Sequence, residues 1–134
     1  MNIQPSNSKL SLIISDILKH HGIKNICISP GSRNTPLIKI FTSDNFFNCY
    51  SIVDERSSAY FALGISKTLG KPTAILTTSG TAVGNLLPGI IEADQSETPL
   101  IIITADRPEH LVGTGANQTI KQHNIFKNYI RDFI

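Results

Sequence analysis

Asp54, Glu55 and Arg56 stand where a β-rich run, Tyr50 to Val53, gives way to the small residues Ser57, Ser58 and Ala59. A carboxyl group between an apolar strand and a helix start can do acid–base work, because partial desolvation raises its pKa towards neutrality. Ser32 and Arg33 follow Pro-Gly in "ISPGSRNT", Ser79 and Thr81 flank Gly80 in "TTSGTA", and Asp106 and Arg107 stand in "TADRPEH". Two arginines beside turn residues suit anion capture: guanidinium forks grip carboxylates in a bidentate way, and helix starts offer free N–H groups. Each cluster also has a structural use. Ser32 and Asn34 can cap the helix containing Pro36. Asp54 and Glu55 suit the positive end of a helix. Ser79 and Gly80 suit a tight turn, and Arg107 can pair with Asp54 or Asp106.

Other chemistries find less support. His20, His21, His110 and His123 have no metal-ligand spacing, and His20 and His21 sit where a helix C-terminus would welcome them. Cys27 and Cys49 lie in apolar strand-like runs without a CxxC motif and read as small core residues. Neither GxGxxG nor GxxxxGK occurs, and Ser79 lacks a GxSxG context. The chain has 134 residues and a net charge of +2 with interspersed signs, which argues for one ordinary globular domain (1–134) and against a nucleic-acid surface. "MNIQPSNSKL" lacks a signal-peptide core, and runs such as "PLIII" are too short to span a bilayer, so a cytoplasmic location is expected.

The elements that must position these residues are legible. Leu10, Ile13, Ile14, Ile17 and Leu18 recur at helical spacing before Gly22. "NICISPG" (25–31) predicts a strand, 35–43 a helix with Pro36 in its first turn, 48–54 a strand, and 57–70 a helix closed by Gly70. Residues 72–80 predict a strand, 81–93 a helix bent near Pro88, and 99–108 a strand. A weak helix is expected over 117–128 and the beginning of a strand over 129–134. Apolar strands alternating with helices call for an α/β fold, three layers α/β/α around a mostly parallel sheet, with right-handed crossovers. Ligands of such sheets bind beyond the carboxyl ends of the strands. Every polar cluster falls at such an end, so four strand ends bring Ser32, Arg33, Glu55, Arg56, Ser79, Thr81, Asp106 and Arg107 to one rim.

"ISPGSRNTPL", "DERSSAYFALGISK", "TTSGTAVGNLLPGIIEA" and "TADRPEHLVGTGANQTIKQ" together resemble the N-terminal, pyrimidine-binding domain of thiamine-diphosphate enzymes. More narrowly, the chain is similar from about Ser8 onward to the 2-succinyl-5-enolpyruvyl-6-hydroxy-3-cyclohexene-1-carboxylate synthases of menaquinone biosynthesis. "PGSR", "TADRP" and "GANQ" are specific to that group, whereas "DER" and "TSG" followed by Asn85 are shared more widely. The resemblance implies a transferase that decarboxylates 2-oxoglutarate and joins the product to isochorismate, using thiamine diphosphate with Mg or Mn, in a homo-oligomer (dimer or tetramer). It assigns Glu55 to the catalytic glutamate that meets N1′ of the aminopyrimidine. A shared proton there favours the imino tautomer, whose 4′ nitrogen removes the thiazolium C2 proton. The resemblance places Ser32, Arg33, Arg107 and Gln118 on the acceptor substrate, Asn117 near the cofactor, and Thr78, Ser79 and Gly80 along the pyrimidine. Asp54 and Arg56 become orienting or structural neighbours.

In the family a later domain carries a GDG…N segment that holds the metal, and no GDG occurs here. No metal site is therefore expected within these residues, and the chain reads as a truncated first domain whose middle and diphosphate-binding domains are absent. The alternative reading is a stand-alone anion-binding α/β module that uses the same rim without catalysis.

Overall fold

The computed structural model describes residues 5–132. Strands β1 (Asn25–Ile28), β2 (Asn48–Ser51), β3 (Thr73–Thr77) and β4 (Leu100–Thr104) form one sheet in the order β2-β1-β3-β4, with every neighbouring pair parallel. Parallel strands cannot be joined by a tight turn, so each connection crosses a sheet face as helix. These are α2 (Thr35–Ser43), α3 (Glu55–Leu69), and the pair α4 (Thr81–Asn85) and α5 (Leu87–Gln95), while α1 (Pro5–His20) precedes the sheet.

Strand alternation divides the core in two. Ile26, Ile28, Ala74 and Leu76 face Leu18, Phe41 and Phe47, the side covered by α1 and α2. Cys27 and Ile75 face Ala59, Ala62, Val83, Leu86 and Ile90, the side covered by α3, α4 and α5. This is the three-layer α/β/α arrangement with a parallel sheet that the alternating pattern predicts. The central strands are apolar on both faces, and β3 is buried along its whole length. The edge strands β2 and β4 are only partly covered, as their positions require. Cys27 and Cys49 are free thiols on opposite faces of the sheet, and burial pushes Cys27 up to about 12.

Local signals set the helix limits. Pro36 occupies the first turn of α2, and Gly70 closes α3 with φ 61°. The helix expected over 81–93 is two helices that meet at Leu86, because Pro88 cannot donate into a continuous ladder. A Cβ on Gly89 would lie 2.6 Å from the Cβ of Ala59, so α3 and α5 touch through their smallest side chains.

Two expectations fail at the C-terminal end. The weak helix over 117–128 is absent: the segment is a chain of turns, with Gln118 at φ 55° and Asn124 at φ 63°, both outside the helical region. The strand beginning at Tyr129 is also absent as far as Asp132, and residues 133–134 lie outside the described residues. Tyr129 and Ile130 instead pack as loop residues against the α3–α5 side of the core. The strand expected over 48–54 ends at Ser51, although the Ile52 N–H still donates to the Ile28 carbonyl at 2.9 Å. No helix among the described residues is long and apolar enough to cross a membrane.

Candidate functional site

The strand order reverses between β1 and β3, because the chain leaves β1 for β2 on one side and returns to β3 on the other. A crevice beyond the carboxyl ends of two such strands is the standard ligand position of an open α/β sheet. Here the turn after β1 and the turn after β3 press together: a Cβ on Gly31 would lie 2.5 Å from the Cβ of Thr78. Only glycine allows that approach. Asn34, fully buried, braces the first turn, accepting from the Gly31 N–H at 2.9 Å and donating to the Ser29 carbonyl at 3.0 Å. Its side chain therefore holds the turn and makes no capping bond to α2.

The turn after β3 presents Thr78 and Ser79, both almost fully buried, and Gly80 at φ 80°. Ser79 Oγ donates to the Gln118 carbonyl at 2.9 Å, and a Cβ on Gly80 would lie 2.9 Å from the Gln118 carbonyl carbon. The Thr78 hydroxyl is buried with no hydrogen-bond partner among the described residues. Residues 117–122 thus lie as a strap across this turn.

Both candidate arginines reach that strap. Arg33 Nη1 donates to Gln118 Oε1 at 2.7 Å, and its Nη2 to the Asn117 carbonyl at 3.4 Å. Arg107 donates to the same Asn117 carbonyl through Nε at 3.3 Å and Nη2 at 3.0 Å. Two guanidinium groups converge on one neutral peptide oxygen. Neither forms an ion pair with a described residue; the ion pairs found are Lys19 with Asp44 and Arg131 with Asp94. Asp106 accepts from the Arg107 backbone N–H at 2.7 Å and leaves the guanidinium to other partners. The pairing of Arg107 with Asp54 or Asp106, open on the sequence, is not made.

The second cluster lies at the start of α3. Asp54 caps the helix, accepting from the Ser57 N–H at 2.7 Å. That backbone bond holds its carboxyl below the usual range. Glu55, half-buried in the first turn, accepts from Asn85 Nδ2 at 3.0 Å. Among the described residues its other oxygen has no partner. Ser32, Arg56 and Thr81 are exposed on the rim. No group of three or more His, Cys, Asp or Glu among the described residues could hold a metal ion.

A profile described as "Thiamine pyrophosphate enzyme, N-terminal TPP binding domain" matches residues 8–125. The chain belongs to this thiamine-diphosphate enzyme family. The 2-succinyl-5-enolpyruvyl-6-hydroxy-3-cyclohexene-1-carboxylate synthase of Halobacterium salinarum is 46% identical over 93% of the chain and 21% of its own length. The synthases of Flavobacterium psychrophilum and Cronobacter sakazakii are 48% and 43% identical over 90% and 96% of the chain, covering 22% and 23% of their own lengths. The chain spans about a fifth of the length of these curated relatives.

Within this thiamine-diphosphate enzyme domain, the residues singled out from the sequence fall into two groups. Ser79, Gly80, Arg33, Arg107, Asn117 and Gln118 are joined by contacts around the strap. Glu55 stands with Asn85, and among the described residues no hydrogen bond links this pair to the strap cluster. Two participants were given no role at the site from the sequence. Asn85 was singled out only as part of the motif that begins with "TSG", and its bond to Glu55 crosses between two helices. Gln122, the buried far end of the strap, closes a stretch quoted for the resemblance but was not singled out, because a glutamine in a polar stretch looks like surface.

Proposed function

We propose that residues 1–134 are the pyrimidine-binding domain of a thiamine-diphosphate-dependent synthase that decarboxylates 2-oxoglutarate and adds the resulting fragment to isochorismate in menaquinone biosynthesis. The observation that carries this reading is the convergence of Arg33 and Arg107 on the Asn117 carbonyl. A guanidinium pair satisfied by a neutral oxygen keeps its charge available, and a carboxylate is the stronger partner. Both proposed substrates are dicarboxylates.

The residues fit the proposed cofactor. Glu55 offers a half-buried carboxyl with one oxygen unclaimed, which suits a ring nitrogen that shares a proton. Asn85 fixes the orientation of that carboxyl, and Thr78, Ser79 and Gly80 form a closely packed wall for a flat ring. When bound, thiamine diphosphate supplies the electron sink for decarboxylation. Glu55 would hold the proton at N1′; Ser32, Arg33, Arg107 and Gln118 would bind and orient the acceptor; and Asn117 would line the reacting centre. Among the described residues no cluster fits a metal site, and Mg or Mn would be held by another part of the synthase. A cytoplasmic homo-oligomer, dimer or tetramer, completes the proposal.

Arg33→Ala and Arg107→Ala in the full-length synthase test it. Each is expected to leave cofactor affinity nearly intact while weakening isochorismate use, by about 2–5 kcal/mol if the carboxylate is left buried without its partner. Steady-state kinetics with a thermal melt on each variant separate the outcomes. A sharp fall in melting temperature with unchanged isochorismate KM would return both arginines to a structural role.

A further inference from the structure

The strap over residues 117–122 has no helix or strand to hold its shape, yet it delivers the peptide oxygen shared by Arg33 and Arg107. One side chain fastens its far end. Gln122 is 8% exposed. Its Oε1 accepts from the Gly80 N–H at 3.1 Å, and its Nε2 donates to the Ala105 carbonyl at 2.8 Å and to Thr104 Oγ1 at 3.4 Å. The β3–β4 ladder ends with the Ala105 N–H donating to the Thr77 carbonyl at 3.1 Å. Beyond that bond the two strands part, and the Gln122 amide fills the gap as a peptide group would, one acceptor towards β3 and one donor towards β4.

We propose that Gln122 is a positioning residue for acceptor-substrate binding: its amide bridges the ends of β3 and β4, fixes the strap, and through the Asn117 carbonyl aims the guanidinium groups of Arg33 and Arg107. This rests on the proposed role of those arginines. The chemistry of the bridge is specific. A carboxyl in place of the amide keeps the acceptor for Gly80 but sets an oxygen against the Ala105 carbonyl, and buried acceptors facing one another are unfavourable. The remaining strap fastenings, from Ser79 Oγ to the Gln118 carbonyl and from the two arginines to Gln118 and Asn117, hold only the near end, so loss of the bridge releases the far end from β3 and β4.

The experiment uses the full-length synthase with Gln122→Glu, Arg33→Ala beside it as reference, and three readouts: isochorismate KM, carbon dioxide release from 2-oxoglutarate without acceptor, and melting temperature. Gln122→Glu is expected to raise isochorismate KM about tenfold, the scale of one or two lost buried hydrogen bonds, while acceptor-free carbon dioxide release stays within about twofold. Gln122→Met keeps the volume, removes all three side-chain bonds and carries the same expectation should the ionised variant fail to fold. If Arg33→Ala raises KM and neither Gln122 variant does, or if all steps fall in parallel with melting temperature, Gln122 is a structural residue and the inference fails alone. If Arg33→Ala leaves KM unchanged, the reading of the arginine site fails and takes this one with it.

Discussion

At the scale of single residues, Glu55 and Asn85 are the most informative pair. A carboxyl at a helix start needs no functional explanation, since the dipole alone favours it. Asp54 already supplies that service through its bond to the Ser57 N–H. Glu55 is therefore spare as a cap, and its bond runs to a side chain on a different helix. Glu55→Gln keeps size and most hydrogen bonding but removes the proton equilibrium. In the full-length synthase it is expected to slow proton exchange at C2 of the bound cofactor by about 10²–10⁴-fold, the usual contribution of acid–base catalysis, with the melting temperature little changed. An exchange rate equal to that of the parent would falsify the role.

At the scale of elements, what the sequence discloses and what it conceals divide along a physical line. Strands β1 and β3 were legible because both faces are buried and most of their residues are β-branched or small. The α4–α5 break was legible because proline acts on its own backbone. The strap was misread as helix because its shape is set by partners distant in sequence: Ser79, Gly80, Arg33 and Arg107 bind it, and Gln118 takes a left-handed conformation to meet them. Likewise the arginines could be singled out by type as candidates for anion binding, but their shared acceptor is a backbone oxygen and carries no residue code. The α3–α5 contact yields a test at this scale. Gly89 meets Ala59 with no room for a methyl group, and helices packed that closely cannot separate without opening the face over Ile75. Gly89→Val is expected to cost about 1–3 kcal/mol through overpacking, read by denaturant unfolding. An unchanged midpoint would show that the helices yield freely.

At the scale of the whole molecule, the described surface retains large apolar side chains: Leu10, Ile13 and Ile17 on α1, and Tyr60, Phe61 and Leu69 on α3. The described residues also offer only part of what a diphosphate cofactor needs, a carboxyl and two turns for a ring but no metal cluster. Contacts limited to one ring do not repay the entropy of immobilising the whole cofactor. The 134-residue chain by itself is accordingly expected to show no synthase activity and no tight binding of thiamine diphosphate. Calorimetric titration with the cofactor and magnesium checks this, and micromolar, metal-dependent binding would overturn it. The sheet order also has a consequence in time. Of these four strands, β1 and β2 leave the ribosome first; they are neighbours and can pair as soon as α2 has spanned them, but the edge of β1 that borders the crevice waits through all of α3 for β3. Pairings so distant along the chain close late. The crevice then waits again, through β4, for the residues that strap it. During synthesis the scaffold thus precedes the site: a nascent chain can hold much of its sheet before the shared oxygen of Asn117 exists for the two arginines to find.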